Sequence, residues 1–381
     1  MAPIAAKHYN SIDVPGINGL YYLFSLLNQI DIEMSFIDEE GIMGLIEQLL
    51  MHVLSAAGVD KKPVIPFPRM TYSSALSQYG SDKPDTRYDM KIHQTSQFGI
   101  RGFKVSNWKS ALSLLSKTDR KLLDDSLNLR SDRVQFFLVH NESVTTLDGS
   151  PYYGHDFVPS ELRSEMSSGA EDLCVVGRSL KAGSETALLT ELGKLRTTFA
   201  SVLQKTGHLK LDPSQLNFLW IVDFPLFTPI ETLQGMSFES THHPFTAPRA
   251  EDEVHLNNPT MYSQILGRHY DIVLNGIELG GGSIRIHDAI QQEHVFKNIL
   301  KVSPDQFHHL LKGLKSGCPP HGGIALGFDR LMALLCHAES LRDVIAFPKS
   351  FRGKDLLTGA PADVDRSDLK EYHIALNTSV K

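Results

Sequence analysis

The chain has 381 residues, of which 41% are hydrophobic and 21% charged; 37 Lys and Arg against 44 Asp and Glu leave a formal net charge of −7. These are globular proportions, and at roughly 150 residues per domain the length predicts two to three domains whose cores need neither metal nor disulfide. The charge excludes a small, wholly basic nucleic-acid module, and the scattered Cys174, Cys318 and Cys336 make neither a zinc spacing nor a disulfide framework, so a reducing compartment is the expectation.

No apolar run approaches the ~18 residues needed to cross a bilayer, so no membrane partner is expected. Lys7 is the only basic residue before Lys61, whereas a mitochondrial transit peptide is Arg-rich, so no cleaved leader is read here. Residues 1–28 have no clear period and include the turn-like Pro15-Gly16-Ile17-Asn18-Gly19. From Gln29 to Phe36 the chain alternates: Ile30, Ile32, Met34 and Phe36 against Gln29, Asp31, Glu33 and Ser35, which predicts a half-buried strand. Its row of polar residues fits either a solvated sheet face or the floor of a polar pocket.

Asp38, Glu39 and Glu40 suit a helix amino terminus, and Ile42, Leu45, Ile46, Leu49, Leu50, Val53 and Leu54 trace one apolar stripe. This predicts an amphipathic helix with a core-facing stripe, stopped at Gly58. Pro63 to Pro68 breaks the chain; Arg69-Met70-Thr71-Tyr72 and the polar loop Gly80 to Asp85 follow. From about 93 to 217 the character changes to short strand-like pieces such as Val134 to Val139, a Ser/Gly-rich interruption at Ser167 to Ala170, and a helical segment from Ser184 to Leu203. We read this stretch as an inserted α+β domain, after which Phe218 to Val222 returns the chain to the first domain as a central strand.

Three later segments carry chemistry. In Tyr270 to His287, two alternating stretches flank Gly280-Gly281-Gly282, which is hairpin chemistry. Glu278 between Ile277 and Leu279, and Arg285 between Ile284 and Ile286, each point away from an apolar face. A salt bridge between strands fits this pattern; so does bidentate capture of a carboxylate by a rigidly mounted guanidinium. Ser240 to Phe245 places His242 beside His243, but no third ligand stands at metal spacing nearby in the sequence, so zinc is not expected. Gly322 to Leu331 is a strand of small and apolar residues that runs into a helix opened by Asp329 and Arg330, with Leu331, Leu334 and Leu335 as its core stripe. Glycines there admit a ligand close to the backbone, and the Arg can meet an anion.

At these residues the chain resembles a known family. Gly323-x-Ala325-x-Gly327-x-x-Arg330 is similar to motif 3 of the class II aminoacyl-tRNA synthetases. Gly276 to His287 resembles the signature of the aspartyl-specific members, as do His242-His243-Pro244-Phe245-Thr246, Tyr79 to Asp85, and Arg342 to Lys349. The 93–217 insertion resembles the bacterial type that mitochondria also use, and Ser350 to Asp355 is similar to the mitochondrial branch. The resemblance spans about Gln29 to Tyr372.

It implies an α+β fold: an antiparallel sheet flanked by helices, with a smaller inserted α+β domain. The organisation it implies is an atypical amino-terminal segment (1–28), a catalytic domain in two parts (29–92 and 218–350), the insert (93–217) and a carboxy-terminal extension (351–381). It implies an aspartate–tRNA ligase with L-aspartate, ATP and the tRNA acceptor end as partners, Mg2+ as cofactor, a homodimeric state and a place in the mitochondrial matrix, with retention in the cytoplasm as the alternative because no transit peptide is read. By resemblance Arg285 holds the aspartate side-chain carboxylate, while Asp31 and His242 contact its amino acid end. Gln29, Glu278, Gly327, Phe328, Asp329 and Arg330 form the ATP site, Glu278 helps hold magnesium, and Arg330 meets the γ-phosphate. Catalysis in such a site is positioning plus charge stabilisation and needs no nucleophilic side chain.

Family members place an anticodon-binding barrel, motif 1 and an Arg-bearing motif 2 before the counterpart of Gln29. Here 28 residues without Arg stand there, and Tyr21 to Asn28 does not resemble motif 2. The expectation is an amino-terminally truncated form that adenylates aspartate very poorly or not at all. Two alternatives stand beside it: a non-catalytic synthetase-like binding protein, and an ATP-dependent aspartate-activating enzyme that acts without tRNA.

Overall fold

The computed structural model describes residues 5–9, 27–94, 99–127, 133–140, 143–145, 171–181, 183–232, 235–350 and 353–376. The turn-like Pro15 to Gly19, the stretch from Tyr21 to Leu26 and the Ser167 to Ala170 interruption lie outside them. The strands in chain order are β1 (Ala5–Tyr9), β2 (Leu27–Ser35), β3 (Arg69–Thr71), β4 (His93–Gln94), β5 (Ile100–Val105), β6 (Val134–His140) and β7 (Ser143–Thr145). There follow β8 (Leu173–Ser179), β9 (Phe218–Pro225), β10 (Phe227–Thr232), β11 (Gly235–Ser240), β12 (Leu266–Leu274), β13 (Ile277–Ile284) and β14 (His321–Gly327). The chain divides into two compact units, residues 33–324 and residues 1–32 with 325–381.

In the 33–324 unit, β14, β13, β12, β9 and β3 lie in that order in one sheet. Its pairings are antiparallel from β13 through β12 to β9, while β3 runs parallel to β9. The helix Glu39–Ala56 starts as its sequence predicts, with the Asp38 carboxylate accepting from Gly41 N. Its stripe is rotated from expectation: Leu45 is 38% exposed, while Met43 and Glu47 turn inward beside Ile42, Ile46, Leu50 and Leu54. Glu47 is buried because three donors converge on its Oε1: Phe67 N at 3.0 Å, Trp220 Nε1 at 3.0 Å and Arg69 Nη1 at 2.6 Å. A buried carboxylate is tolerated where its lone pairs are so filled, and this one fastens the helix to β9 and to the start of β3. β2 ends one residue before the sequence alternation does: Phe36 adopts φ 55° and is 79% exposed.

The three glycines are the clearest correction. The two-residue turn between β12 and β13 is Asn275-Gly276, both at positive φ (52° and 85°), the backbone that a tight antiparallel hairpin requires. Gly280, Gly281 and Gly282 lie inside β13 instead. There they serve close approach: a Cβ on Gly282 would stand 2.8 Å from Ile324 Cα of the neighbouring strand.

Within the same unit β4, β5, β8, β6 and β7 form a second sheet in that order. The helix Glu185–Lys205 buries Leu188, Leu192, Leu195, Phe199 and Leu203 in one cluster with Phe103, Val105 and Trp108. The Phe199 ring sits edge-on to Trp108, with centroids 5.2 Å apart. Its period-3.6 apolar face and the alternating β5 and β8 build this core. β10 and β11 form a separate antiparallel hairpin.

In the unit of residues 1–32 and 325–381, β1 pairs antiparallel with β2, placing Ala5 opposite Asp31 and Lys7 opposite Gln29. The helix Phe328–Leu335 follows β14 directly and buries Asp329 and Leu331. Further along, Lys349 pairs with Asp355 at 2.7 Å, and Asp355 also caps the turn at Leu357 and Thr358. That lysine, with the Thr358 amide, holds the Asp355 carboxyl well below the usual range.

Candidate active site

The antiparallel pairing of β12 and β13 sets His269 opposite Ser283 and Asp271 opposite Gly281. Directly opposed residues share a sheet face, so these groups and Arg285, two residues beyond Ser283, point the same way. Glu278 lies seven residues before Arg285, and in a regular strand an odd separation would send it to the opposite face. A bulge intervenes: the register steps from Ile272–Gly280 to Val273–Glu278, so Leu279 is the extra residue. The bulge restores Glu278 to the face of Asp271 and Arg285.

Arg285 is fixed on three sides. Its Nη1 donates to His243 Nε2 at 2.6 Å and to Ser283 Oγ at 2.7 Å, and Nη2 donates to Glu33 Oε1 at 2.8 Å. The loop that brings His243 is bolted to the end of β13, with Ile286 N donating to Phe245 O and Ala247 N to Ile284 O, both at 2.8 Å. Burial, then the Arg285 charge, hold the His243 pKa down to about 3, so the ring is neutral and accepts from the guanidinium. Its Nδ1 then carries the proton toward Thr246 Oγ1, 3.2 Å away.

Beneath this, the His242 ring stacks on His269 with centroids 3.5 Å apart and planes 9° from parallel. His269 Nε2 lies 2.8 Å from Asp271 Oδ1, and its buried Nδ1 has no hydrogen-bond partner among the described residues. Burial, then Arg285, lower the His269 pKa to about 3, while burial, then Glu278, raise Asp271 to about 7. His242, still open to solvent on one side, is lowered to about 4 by burial of its inner face and by His269. Lys83 reaches across from the Gly80 to Asp85 loop and pairs with Glu278 Oε2 at 2.6 Å. Burial opposes the Lys83 charge, but the Glu278 carboxylate outweighs it and raises the pKa.

The sequence offers no third ligand near His242, yet the fold supplies His269 and Asp271, with ligand atoms within 4.8 Å of one another. Parallel rings 3.5 Å apart aim their lone pairs in separate planes, so in this arrangement the two histidines cannot ligate one ion together. The carboxylates are the better cation donors. Asp271 and Glu278 are hard oxygen ligands on one sheet face, a donor set that fits magnesium.

The remaining site residues from the sequence lie in the other unit. Gln29 and Asp31 are on β2, two apart and so on one face. Gly327, Phe328, Asp329 and Arg330 form the junction of β14 with its helix, Arg330 exposed and Asp329 3% exposed. Asp329 is occupied structurally: it accepts from Asn28 N at 2.7 Å and from Asn28 Nδ2 at 3.1 Å. That bond ties the residue next to Gln29 to the start of the Arg330 helix.

The fold and this cluster can be set beside known proteins. The family described as tRNA synthetases class II (D, K and N) matches residues 27–351. The chain belongs to the class II tRNA synthetases. It is 42% identical over 372 residues to the mitochondrial aspartate–tRNA ligase of Dictyostelium discoideum, covering 91% of this chain and 53% of that protein. The mitochondrial aspartate–tRNA ligase of Mus musculus is 43% identical over 365 residues, 91% of this chain and 54% of that one. The aspartate–tRNA(Asp/Asn) ligase of Opitutus terrae is 35% identical over 364 residues, 91% of this chain and 59% of that one. The chain therefore spans little more than half the length of these relatives.

Of the residues in this cluster, sequence reasoning did not single out His269, Asp271 or Ser283, and left Glu33 as one of a polar row. The signal for the first two was present: they are two titratable residues two positions apart in one strand, hence on one face.

Proposed function

We propose that this chain carries the aspartate-activating site of an aspartate–tRNA ligase. The observation that carries the reading is Arg285, a guanidinium fixed by Glu33, His243 and Ser283 on the sheet face it shares with Asp271 and Glu278. The family serves D, K and N. A fixed guanidinium attracts an anionic side chain, repels that of lysine, and gains no charge pairing from asparagine, so it favours aspartate. The neutral His243 strengthens this choice, because it accepts from Arg285 without adding a competing negative charge.

In this reading Arg285 takes the side-chain carboxylate of aspartate and His242 faces its amino acid end, and the family resemblance assigns Asp31 to amino acid recognition. Gln29 and Gly327 to Arg330 belong to the ATP site, with Arg330 toward the γ-phosphate. Glu278, joined by Asp271, would hold magnesium, whose charge, when bound, offsets that of the triphosphate. The α-carboxylate of aspartate attacks the α-phosphorus of ATP and pyrophosphate leaves, giving the mixed anhydride with AMP. The terminal hydroxyl of the tRNA then attacks the acyl carbon, and AMP leaves. Residues of this chain orient reactants and balance charge without forming a covalent bond. The mitochondrial relatives support a mitochondrial site of action, and the second substrate is the acceptor end of an aspartate-accepting tRNA. The test is pyrophosphate exchange into ATP driven in turn by aspartate, asparagine and lysine: aspartate drives it if the reading holds, and asparagine or lysine acting as well would reject it.

A further inference from the structure

We infer that the helix Glu185–Lys205 of the insert is a positioning element of the ATP-binding part of the site, holding Lys83 against Glu278 through the Gly80 to Asp85 loop. The inference rests on the proposed role of Glu278. The loop is wedged between two bodies. On one side it touches the helix backbone to backbone: a Cβ on Gly193 would lie 2.6 Å from the Gly80 carbonyl carbon, and one on Gly80 would lie 2.6 Å from Gly193 N. Real Cβ atoms do not come that close, so any side chain at either position forces the two backbones apart.

Nearly one turn further along the helix, Arg196 is 1% exposed. Its hydrogen bonds run to the chain that leaves the loop: Nη2 to Asp85 O at 2.8 Å, Nε to Met90 O at 2.9 Å and Nη1 to the Tyr88 hydroxyl at 3.2 Å. The guanidinium also lies over the Tyr88 and Tyr79 rings, 4.2 and 4.9 Å from their centroids. Arg196 thus fastens main-chain carbonyls after the loop while Gly193 fixes the backbone before it. On the other side the loop meets the β12–β13 hairpin, where a Cβ on Gly276 would stand 3.0 Å from Asp85 Cβ. Glu278 is two residues beyond that contact, and Lys83 closes the wedge with its 2.6 Å bond to Glu278 Oε2.

The consequence is selective. Arg285 is held by Glu33, His243 and Ser283, none of them on the loop. A shift of the helix should therefore disturb the Lys83–Glu278 end of the cluster and leave the Arg285 end in place.

The experiment is calorimetric titration of the full chain with Mg2+·ATP and, separately, with L-aspartate. Gly193→Ala is the variant. Gly313→Ala, whose added methyl would meet nothing within 4 Å, is the matched control. Gly193→Ala is expected to weaken Mg2+·ATP at least fivefold and to leave aspartate within twofold, with both affinities unchanged in Gly313→Ala. In a Lys83→Met background the same substitution should add less than twofold, because the helix acts through Lys83. If Gly193→Ala does not fold, Arg196→Lys is read in the same way. Unchanged Mg2+·ATP affinity, equal loss of both ligands, or full additivity with Lys83→Met would overturn the inference. A wild-type chain that binds aspartate but no Mg2+·ATP would instead overturn the reading of Glu278 beneath it.

Discussion

Replacing Arg285 by Lys keeps the charge and removes the fork. Among the described residues three of the five guanidinium N–H donors find acceptors: His243 at 2.6 Å, Ser283 at 2.7 Å and Glu33 at 2.8 Å. Lysine has three donors on one tetrahedral nitrogen, and it cannot reach a neutral imidazole, a hydroxyl and two carboxylates together. The Coulombic attraction for a ligand carboxylate survives in part; a charge-assisted hydrogen bond and the bidentate geometry do not. Hydrogen bonds to charged groups contribute about 1.5–3 kcal/mol, and the Arg285 side chain is only 14% exposed, so little is lost to solvent screening. The expected weakening of L-aspartate binding is therefore on the order of 10- to 150-fold. Equilibrium titration of both proteins measures it, with the unfolding midpoint recorded to show that the variant is folded. An aspartate dissociation constant within threefold of wild type would refute the reasoning and leave Arg285 as a tie between β13 and Glu33.

Glu33→Gln removes a carboxylate that shares Arg285 with the ligand; because Glu33 is 49% exposed the gain is small, about 0.5–1 kcal/mol, or roughly two- to fivefold tighter aspartate, and weaker binding would show that Glu33 orients the arginine instead. Asp271, raised to about 7 by burial and then by Glu278, is mostly protonated at pH 6. Magnesium affinity should therefore climb through pH 6–8 with release of one proton, seen as a buffer-dependent heat, and a flat profile would exclude Asp271 as a ligand. The linkage sign without the ion is the reverse: a carboxyl with a raised folded pKa gives stability present below its unfolded value of about 3.9 and lost as pH rises through about 7. Thermal midpoints should thus gain more from Mg2+ at pH 8 than at pH 6. Glu47→Ala strands Arg69 and the Trp220 and Phe67 donors in the interior, and should cost about 3–5 kcal/mol in urea unfolding; a loss under 1 kcal/mol would show that water replaces the carboxylate.

Much of the sheet was legible because the period-2 run Ile30 to Met34 leaves a strand little choice of face, and the short continuous apolar run Phe218 to Val222 suits a central strand buried on both faces. The helix Glu39–Ala56 was legible in position but not in rotation. Hydropathy assigns Leu45 to the core and Glu47 to solvent, and only the convergence of Phe67, Arg69 and Trp220 on Glu47 reverses them. The Gly280 to Gly282 run was misread as a turn because glycine serves both positive φ and close packing, and sequence does not separate the two uses. Asn275-Gly276, five residues earlier, carried the stronger turn signal. In the site, Arg285, Glu278 and His242 stood out through their motifs. His269 and Asp271 did not, because their meaning comes from the pairing that sets them on the face of Arg285 and from the stacking of His242, both tertiary facts.

The measurement closest to the central claim is a side-by-side calorimetric titration of this chain with L-aspartate, L-asparagine and L-lysine at saturating Mg2+·ATP. A guanidinium fixed by Glu33, His243 and Ser283 discriminates by charge, and a buried charge-assisted pair contributes about 1.5–3 kcal/mol that the neutral amide forfeits. Aspartate should bind at least tenfold more tightly than asparagine, and lysine should give no measurable heat. Asparagine or lysine binding as tightly as aspartate would contradict the claim.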